Sequence, residues 1–322
     1  MQIQELVLHK AEEYLASGKV DRVLAWKKDE TFYDNSPAIF TKDNLNGFVY
    51  NEFCAANLSK YLVNESRKEG KILVFLKPCD TYSFNQLVSE HRIDREKIVV
   101  IGLECQGMLD EKKIYNLGFK RIEKVEDGLD NIIITADGQQ VQIKREELLS
   151  VKCVDCKSKE FAVADETIVV NEMKQPDKNS RFSVVSELEK MTEEERFKFW
   201  QNELSKCIRC NACRNVCPAC TCTHCVFDNN KSGIAGKANS DSFEEKLYHI
   251  IRAYHVAGRC TDCGECSRVC PESIPLHLIN RKFIKDINDN YGEFQAGKTV
   301  SEHNPLVDYT KGDCEPKEMV GK

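Results

Sequence analysis

Two runs of cysteine constrain this chain more than anything else in it. Cys207-x-x-Cys210-x-x-Cys213-x-x-x-Cys217-Pro218 is answered by Cys260-x-x-Cys263-x-x-Cys266-x-x-x-Cys270-Pro271, with the same spacing throughout. Three thiolates at two-residue gaps wrap one corner of an iron–sulfur cube. The fourth, ahead of a proline, leaves on another trajectory and reaches the neighbouring cube. The spacing therefore pairs Cys207, Cys210 and Cys213 with Cys270, and Cys260, Cys263 and Cys266 with Cys217, as ligands of two [4Fe-4S] clusters. Zinc sites share the Cys-x-x-Cys step, but zinc does not account for two four-cysteine repeats that both close on Cys-Pro.

The chain has 17 cysteines in 322 residues, eleven of them between Cys207 and Cys270. A secreted disulfide scaffold is shorter and spreads its cysteines as loop staples. An odd, clustered set reads instead as metal ligation in a reducing compartment. Lys and Arg number 46 against 52 Asp and Glu, a net charge of −6. With no basic excess, a nucleic-acid partner is not expected. The longest apolar runs, 72–76 and 98–101, fall far short of the ~20 residues a membrane span requires. The opening Met-Gln-Ile-Gln-Glu-Leu lacks the charged-then-apolar order of a secretory signal. The expectation is a cytoplasmic chain without a membrane span.

Four stretches follow from patterning. Residues 1–171 read as an α/β domain with a short parallel sheet. Helical spacing of Ile3, Leu6, Val7, Tyr14 and Leu15 ends at Gly18, and a second helix is expected over 52–67. Apolar runs at 71–76 and 97–102 flank a helical stretch at 81–90, which makes a βαβ unit. Residues 131–136 and 139–143, joined by Asp137-Gly138, read as a tight hairpin. Residues 172–205 are a polar linker and a helix that Thr192 and Glu195 cap, with Phe197, Trp200 and Leu204 on one face. Residues 206–290 hold the two motifs. Between them lies a helix capped by Ser242 and Glu245, whose expected apolar face is Phe243, Leu247, Ile250, Ile251 and Tyr254. Residues 291–322 are a polar arm with a lone Cys314. The arm and the Phe197–Trp200 face are candidate docking surfaces.

A third set of thiols emerges from the βαβ unit. One apolar run leads into Lys77-Pro78-Cys79-Asp80 and the next into Glu104-Cys105-Gln106-Gly107. Parallel strands of one unit end on the same edge, where open α/β sheets bind ligands. Cys153-Val154-Asp155-Cys156 completes a candidate tetrad for a third [4Fe-4S] cluster; the alternative is that these are small buried hydrophobes. Cys220, Cys222 and Cys225, with His224 among them, are open between ligands of a further cluster with Cys54 or Cys79, a zinc site and plain loop thiols. The other histidines are expected to be packed or solvated, and Cys54 and Cys314 have no assigned role.

Gly258 to Leu276 resembles the helical two-cluster ferredoxins of the heterodisulfide reductase C subunit and succinate dehydrogenase iron–sulfur type, which implies a mainly α-helical dicluster domain. The Pro-Cys79 turn, the Cys105-Gln-Gly turn, and Cys153-x-x-Cys156 followed by Ala164-Asp165 resemble the beta-subunit family of deazaflavin-dependent hydrogenases and formate dehydrogenases. The likeness covers about residues 50–170. It implies a subunit of an anaerobic oxidoreductase beside catalytic and flavin-bearing, heterodisulfide-reductase-A-like partners. Family members often bind FAD and exchange electrons with a deazaflavin. No glycine-rich dinucleotide loop stands in this sequence to support FAD.

A cube held by four thiolates carries about −2 and offers no open iron to a substrate. Arg209, Arg214, Arg259 and Arg268 sit beside the motifs to offset that charge. The second motif also holds Asp262 and Glu265, so its cluster is expected at the lower potential. No catalytic constellation stands out elsewhere. The leading reading is electron transfer between partner subunits. The alternatives are a flavoprotein beta subunit that itself exchanges hydride with a deazaflavin or nicotinamide-type carrier, and a zinc-bearing structural or assembly module.

Overall fold

The strand Ile72–Leu76 is apolar without interruption, and all five of its side chains are buried. That suits the middle of a sheet covered on both faces. In the computed structural model it is the central strand, β4, of the sheet order β2 (Asn35–Phe40), β1 (Arg22–Lys28), β4, β5 (Ile98–Leu103), β9 (Glu166–Ile168), with β3 (Phe48–Val49) also paired to β1. The structure describes every residue except 1–2, 32, 129, 174, 178–179, 230–241, 301–303, 308–309, 312 and 314–322, and the side chains of 242–245 are also left aside. Cys314, the Ser242–Glu245 cap and Phe243 therefore lie outside the described residues.

Two compact units divide the chain, one of residues 1–81 and 93–176, the other of residues 82–92 and 177–322. In the first, α1 (Ile3–Ala16) precedes β1 (Arg22–Lys28), β2 (Asn35–Phe40) and β3 (Phe48–Val49). After α2 (Leu62–Glu65) come β4, α3 (Pro78–Ser89) and β5 (Ile98–Leu103). Strand β1 is antiparallel to β2 and β3 but parallel to β4, and β4, β5 and β9 (Glu166–Ile168) are mutually parallel. Helix α4 (Glu111–Tyr115) leads to a separate antiparallel sheet of β6 (Ile122–Asp127), β7 (Asn131–Ala136) and β8 (Gln139–Lys144). Asp137 and Gly138 both take positive φ, 52° and 73°, as a two-residue hairpin requires. Two single turns, α5 (Arg145–Leu148) and α6 (Val151–Val154), complete the unit.

The helix expected over 52–67 shrinks to a 3-10 turn at Leu58–Tyr61 and the one turn of α2. The carbonyls upstream are taken by lysines rather than by helical N–H groups. Lys77 Nζ bonds Cys54 O at 3.0 Å and Ala56 O at 2.9 Å, and Lys152 Nζ bonds Ala55 O at 2.6 Å.

The second unit is helical, with α7 (Ser183–Lys190), α8 (Glu193–Ser205), α9 (Ala212–Asn215), α10 (Ser242–Val256), α11 (Glu265–Arg268) and α12 (Leu276–Tyr291). Thr192 and Glu195 form the capping box expected for α8. Trp200 and Leu204 face the core, whereas Phe197 is exposed beneath the Lys246 ammonium. Residues 82–92 belong here by contact: Ser83 Oγ lies 2.8 Å from Thr261 Oγ1, and Arg259 Nε bonds Glu90 at 2.8 Å. No helix among the described residues is long and apolar enough to cross a membrane.

Candidate metal centres

The two cysteine motifs fold alike. Arg209 and Asn211 take positive φ (54° and 62°) in the first, and Asp262 and Gly264 (55° and 67°) in the second. These are the same positions of each repeat, two and four residues after the leading cysteine. Alternating right- and left-handed residues aim successive N–H groups into one concavity, the nest that suits anionic and iron–sulfur centres. Arg209 N lies 3.3 Å from Cys207 Sγ, and the Asp262 N–H donates in the same way to Cys260. One helical turn then presents the third thiol, Cys213 on α9 and Cys266 on α11.

Cys207, Cys210, Cys213 and Cys270 line one small pocket, together with Arg209, Tyr248 and His249. The last cysteine of one motif thus stands with the first three of the other. The complementary set is gathered as well: Cys217 and Cys263 both bear electrostatically on Cys260 and on Cys266. Burial pushes the Cys266 thiol up to about 12 and Cys260 well above its ordinary value. Such thiols ionise readily only against a metal, so iron binding here releases protons. The donor sets and the nests fit thiolate-held cubes.

Helix α10 does not pack with the face expected from its apolar residues. Leu247, Ile250 and Tyr254 are 40%, 42% and 63% exposed. The buried face is Tyr248, His249, Arg252, Ala253 and Val256, turned about one residue around the helix. Among the described residues of the expected set, only Ile251 packs against the cysteine core, beside Tyr248. The reason is what this core contains: thiols that hydrogen-bond and carry charge on metal binding, so donors face them. His249 Nε2 lies 3.3 Å from Cys207 Sγ, and Asn280 Nδ2 of α12 lies 3.7 Å from Cys266 Sγ. Burial first, then Arg252 and Arg209, push the His249 imidazole down to about 3. It is therefore neutral at pH 7, and the tautomer with its proton on Nε2 donates to the sulfur. His277, by contrast, is packed, with its Nδ1 2.8 Å from Ser267 Oγ.

The charge contrast between the motifs disappears in three dimensions. Asp262 is held by Arg181 at 2.9 Å and Arg281 at 3.1 Å, and Glu265 by Arg268 at 2.8 Å. Two carboxylates therefore meet three guanidiniums, two of which lie outside the motif. In the first motif Arg214 pairs with Asp228 at 2.7 Å, and Arg209 sits 4.0 Å above the Tyr248 ring. The expected lower potential of the second cluster has lost its basis.

In the first unit, Cys79 opens α3 behind Pro78, Cys105 follows β5, and Cys153 lies on α6 with Cys156 just after it. Met108 N lies 3.4 Å from Cys153 Sγ, and Cys105, Met108 and Cys153 pack together with Ala55. Gly107, at φ 104°, is required by that approach: a Cβ there would stand 2.6 Å from Leu149 Cδ2. Lys159 bonds Cys105 O at 2.5 Å, and its ammonium feels the thiols of Cys105, Cys156, Cys153 and Cys79 together. Lys152 and Lys77 bear on Cys79 too. Four thiols ringed by lysine ammoniums suit an anionic cube better than an inert apolar pocket. Cys54 stands apart: its Sγ contacts Val49 O and Asn51 Oδ1, and burial pushes it up to about 12.

Cys220 hydrogen-bonds the Cys217 thiol, Cys225 meets Arg214, and Cys222 and His224 are exposed. Zinc with ~2.3 Å bonds gathers its thiolates within about 4 Å of one another. Among the described residues no three Cys, His, Asp or Glu side chains are placed to hold a single metal ion.

A family described as "4Fe-4S dicluster domain" matches residues 203–274. The F420-dependent formate dehydrogenase subunit beta of Methanocaldococcus jannaschii is 25% identical, over 87% of this chain and 88% of that one. The F420-dependent formate dehydrogenase 1 subunit beta of Methanococcus maripaludis is 27% identical, over 66% and 71%. A chain of the F420-reducing [NiFe] hydrogenase complex from Methanosarcina barkeri superposes with a TM-score of 0.39 at 11% identity, covering 63% of this chain and 86% of that chain. With the α/β unit and the twin cysteine motifs in place, this chain is similar along most of its length to beta subunits of F420-dependent formate dehydrogenases, and it carries a 4Fe-4S dicluster domain.

Proposed function

We propose that this chain is the iron–sulfur subunit of an oxidoreductase complex and passes electrons singly through three [4Fe-4S] clusters. The ligand sets are Cys207, Cys210, Cys213 and Cys270; Cys260, Cys263, Cys266 and Cys217; and Cys79, Cys105, Cys153 and Cys156. One observation carries the reading most: the cavity that three thiols of one motif share with the last thiol of the other. When bound, the clusters supply one-electron chemistry. The chain's own residues hold the thiolates in nests and offset the charge with Arg209, Arg252 and Lys159.

The relatives named above are subunits of F420-dependent formate dehydrogenases. From them we take a catalytic oxidoreductase subunit as one partner, a flavin-bearing subunit as the other, and a deazaflavin as the two-electron carrier of the complex. Residues 1–171 form the α/β domain of this proposal, 206–290 the dicluster domain and 291–322 an arm. The same F420 dependence favours the second reading, in which the first domain binds FAD itself. Acid release of stoichiometric flavin from the purified chain would decide for it.

Iron and acid-labile sulfide in anaerobically purified protein test the main reading. About 12 irons per chain fit three clusters and about 8 fit two. A colourless, iron-free chain containing zinc would overturn it in favour of a structural module. Cys270→Ser and Cys217→Ser are expected to perturb different EPR signals, one for each cluster of the dicluster domain.

A further inference from the structure

We infer that Arg252 is a positioning residue shared by both clusters of the helical unit, its guanidinium set against thiols of the two ligand sets so that it favours reduction of both. The inference rests on the cluster assignment above. Arg252 is on the inner face of α10, 2% exposed. It stands three residues after His249, which touches Cys207 Sγ, and next to Ile251, which packs against the core containing Cys213, Cys266 and Cys270. Its Nε and Nη1 are buried and have no hydrogen-bond partner, and no carboxylate among the described residues pairs with it.

A buried cation without an anion costs several kcal/mol, so a folded chain that keeps one there has an anion for it. The groups that act on Arg252 are chiefly thiols, with His249 and Tyr248 also within reach of its charge. Burial works against its charge, yet Cys266, Cys213, Cys217 and Cys220 together hold that charge more firmly than usual. Cys213 belongs to one ligand set, and Cys217 and Cys266 to the other. With iron bound, these sulfurs are the missing anion, and the planar fork of the guanidinium can donate to more than one of them at once. Each cluster takes up one electron, supplied by a mediator or a partner, and becomes more negative by one charge. A fixed cation between the two sets stabilises that added charge on either side, as do hydrogen bonds to the sulfurs. No other arginine near the motifs is placed this way: Arg214, Arg259 and Arg268 have carboxylate partners, and Arg209 lies over the Tyr248 ring.

The test is an EPR-monitored redox titration of the full chain with dithionite and mediators, comparing wild type with Arg252→Met, Arg252→Lys and Arg214→Gln. Arg252→Met is expected to lower both dicluster potentials, each by tenfold or more in the reduction equilibrium, which is ~59 mV for one electron. Arg252→Lys, which keeps the charge but loses the fork, should lower both by less. Arg214→Gln should leave the second cluster unmoved. Unchanged potentials in Arg252→Met, or a shift confined to one cluster, would overturn the inference. If Arg252→Met fails to retain iron, Arg252→Lys decides: two lowered potentials support it and two unchanged ones defeat it. An iron-free wild type sinks the cluster assignment instead, so the two failures are distinguishable.

Discussion

His249 Nε2 lies 3.3 Å from Cys207 Sγ, a contact between a helix and a cysteine loop 42 residues apart in the chain. With Cys207 ionised as a cluster ligand, the neutral imidazole protonated at Nε2 would donate to the thiolate and draw electron density from it. Such a bond contributes about 0.5–1.5 kcal/mol, on the order of 20–60 mV for a one-electron couple. His249→Ala is expected to lower the potential of the Cys207–Cys270 cluster by that amount and to leave the other dicluster potential within error. Redox titration followed by EPR checks it.

The third thiol set and Cys54 make opposite predictions. Cys153→Ala should cut iron by about a third, from about 12 to about 8 per chain. Gly107→Ala should do much the same, because its Cβ collides with Leu149 beside Cys153. Cys54→Ala should leave the iron count unchanged, since its thiol hydrogen-bonds Val49 O and Asn51 Oδ1 and belongs to none of the cysteine sets. Iron analysis of the three variants separates ligand from bystander.

Lys77 and Asp80 form an ion pair at 2.8 Å with both side chains fully buried. Lys77 also ties down the carbonyls of Cys54 and Ala56. Lys77→Met removes one partner and leaves an uncompensated carboxylate, at a cost of about 3–5 kcal/mol. Lys77→Met with Asp80→Asn should recover part of that loss. Urea unfolding of the single and double variants measures both.

The raised thiols predict an alkaline weakness confined to the metal-free chain. Burial pushes Cys153 up to about 11 and Cys266 up to about 12, while an unfolded thiol ionises near ~8.5. The neutral thiols therefore stabilise the metal-free fold fully below pH ~8.5, and that contribution is lost as the pH climbs toward those folded values. Iron uptake runs the other way and strengthens with pH, because each thiol must shed its proton to bind. Urea midpoints of metal-free protein at pH 7.5 and 10 should fall, and a flat profile would contradict the burial.

Much of the chemistry was legible without coordinates, for a local reason. Two-residue gaps between thiols and a terminal Cys-Pro fix ligand geometry within a dozen residues, and two apolar runs around a helix define a βαβ edge. Helix α10 was misread because apolar count was taken for orientation. Leu247, Ile250 and Tyr254 look outward while His249 and Arg252 look inward. Nothing in its own fifteen residues says that the core it meets is made of thiols.

From the sequence alone come the proposed ligand sulfurs, their proposed cross-pairing and the expectation of an α/β region followed by a helical one, since each rests on spacing along the chain. The tertiary structure alone decided which charges and donors surround those sulfurs. Arg181 and Arg281 reach Asp262, Lys159 meets the thiols of Cys79 and Cys105, and His249 meets Cys207 only when distant segments pack. Spacing sets where a ligand can be; packing sets the field it stands in, and potential follows the field.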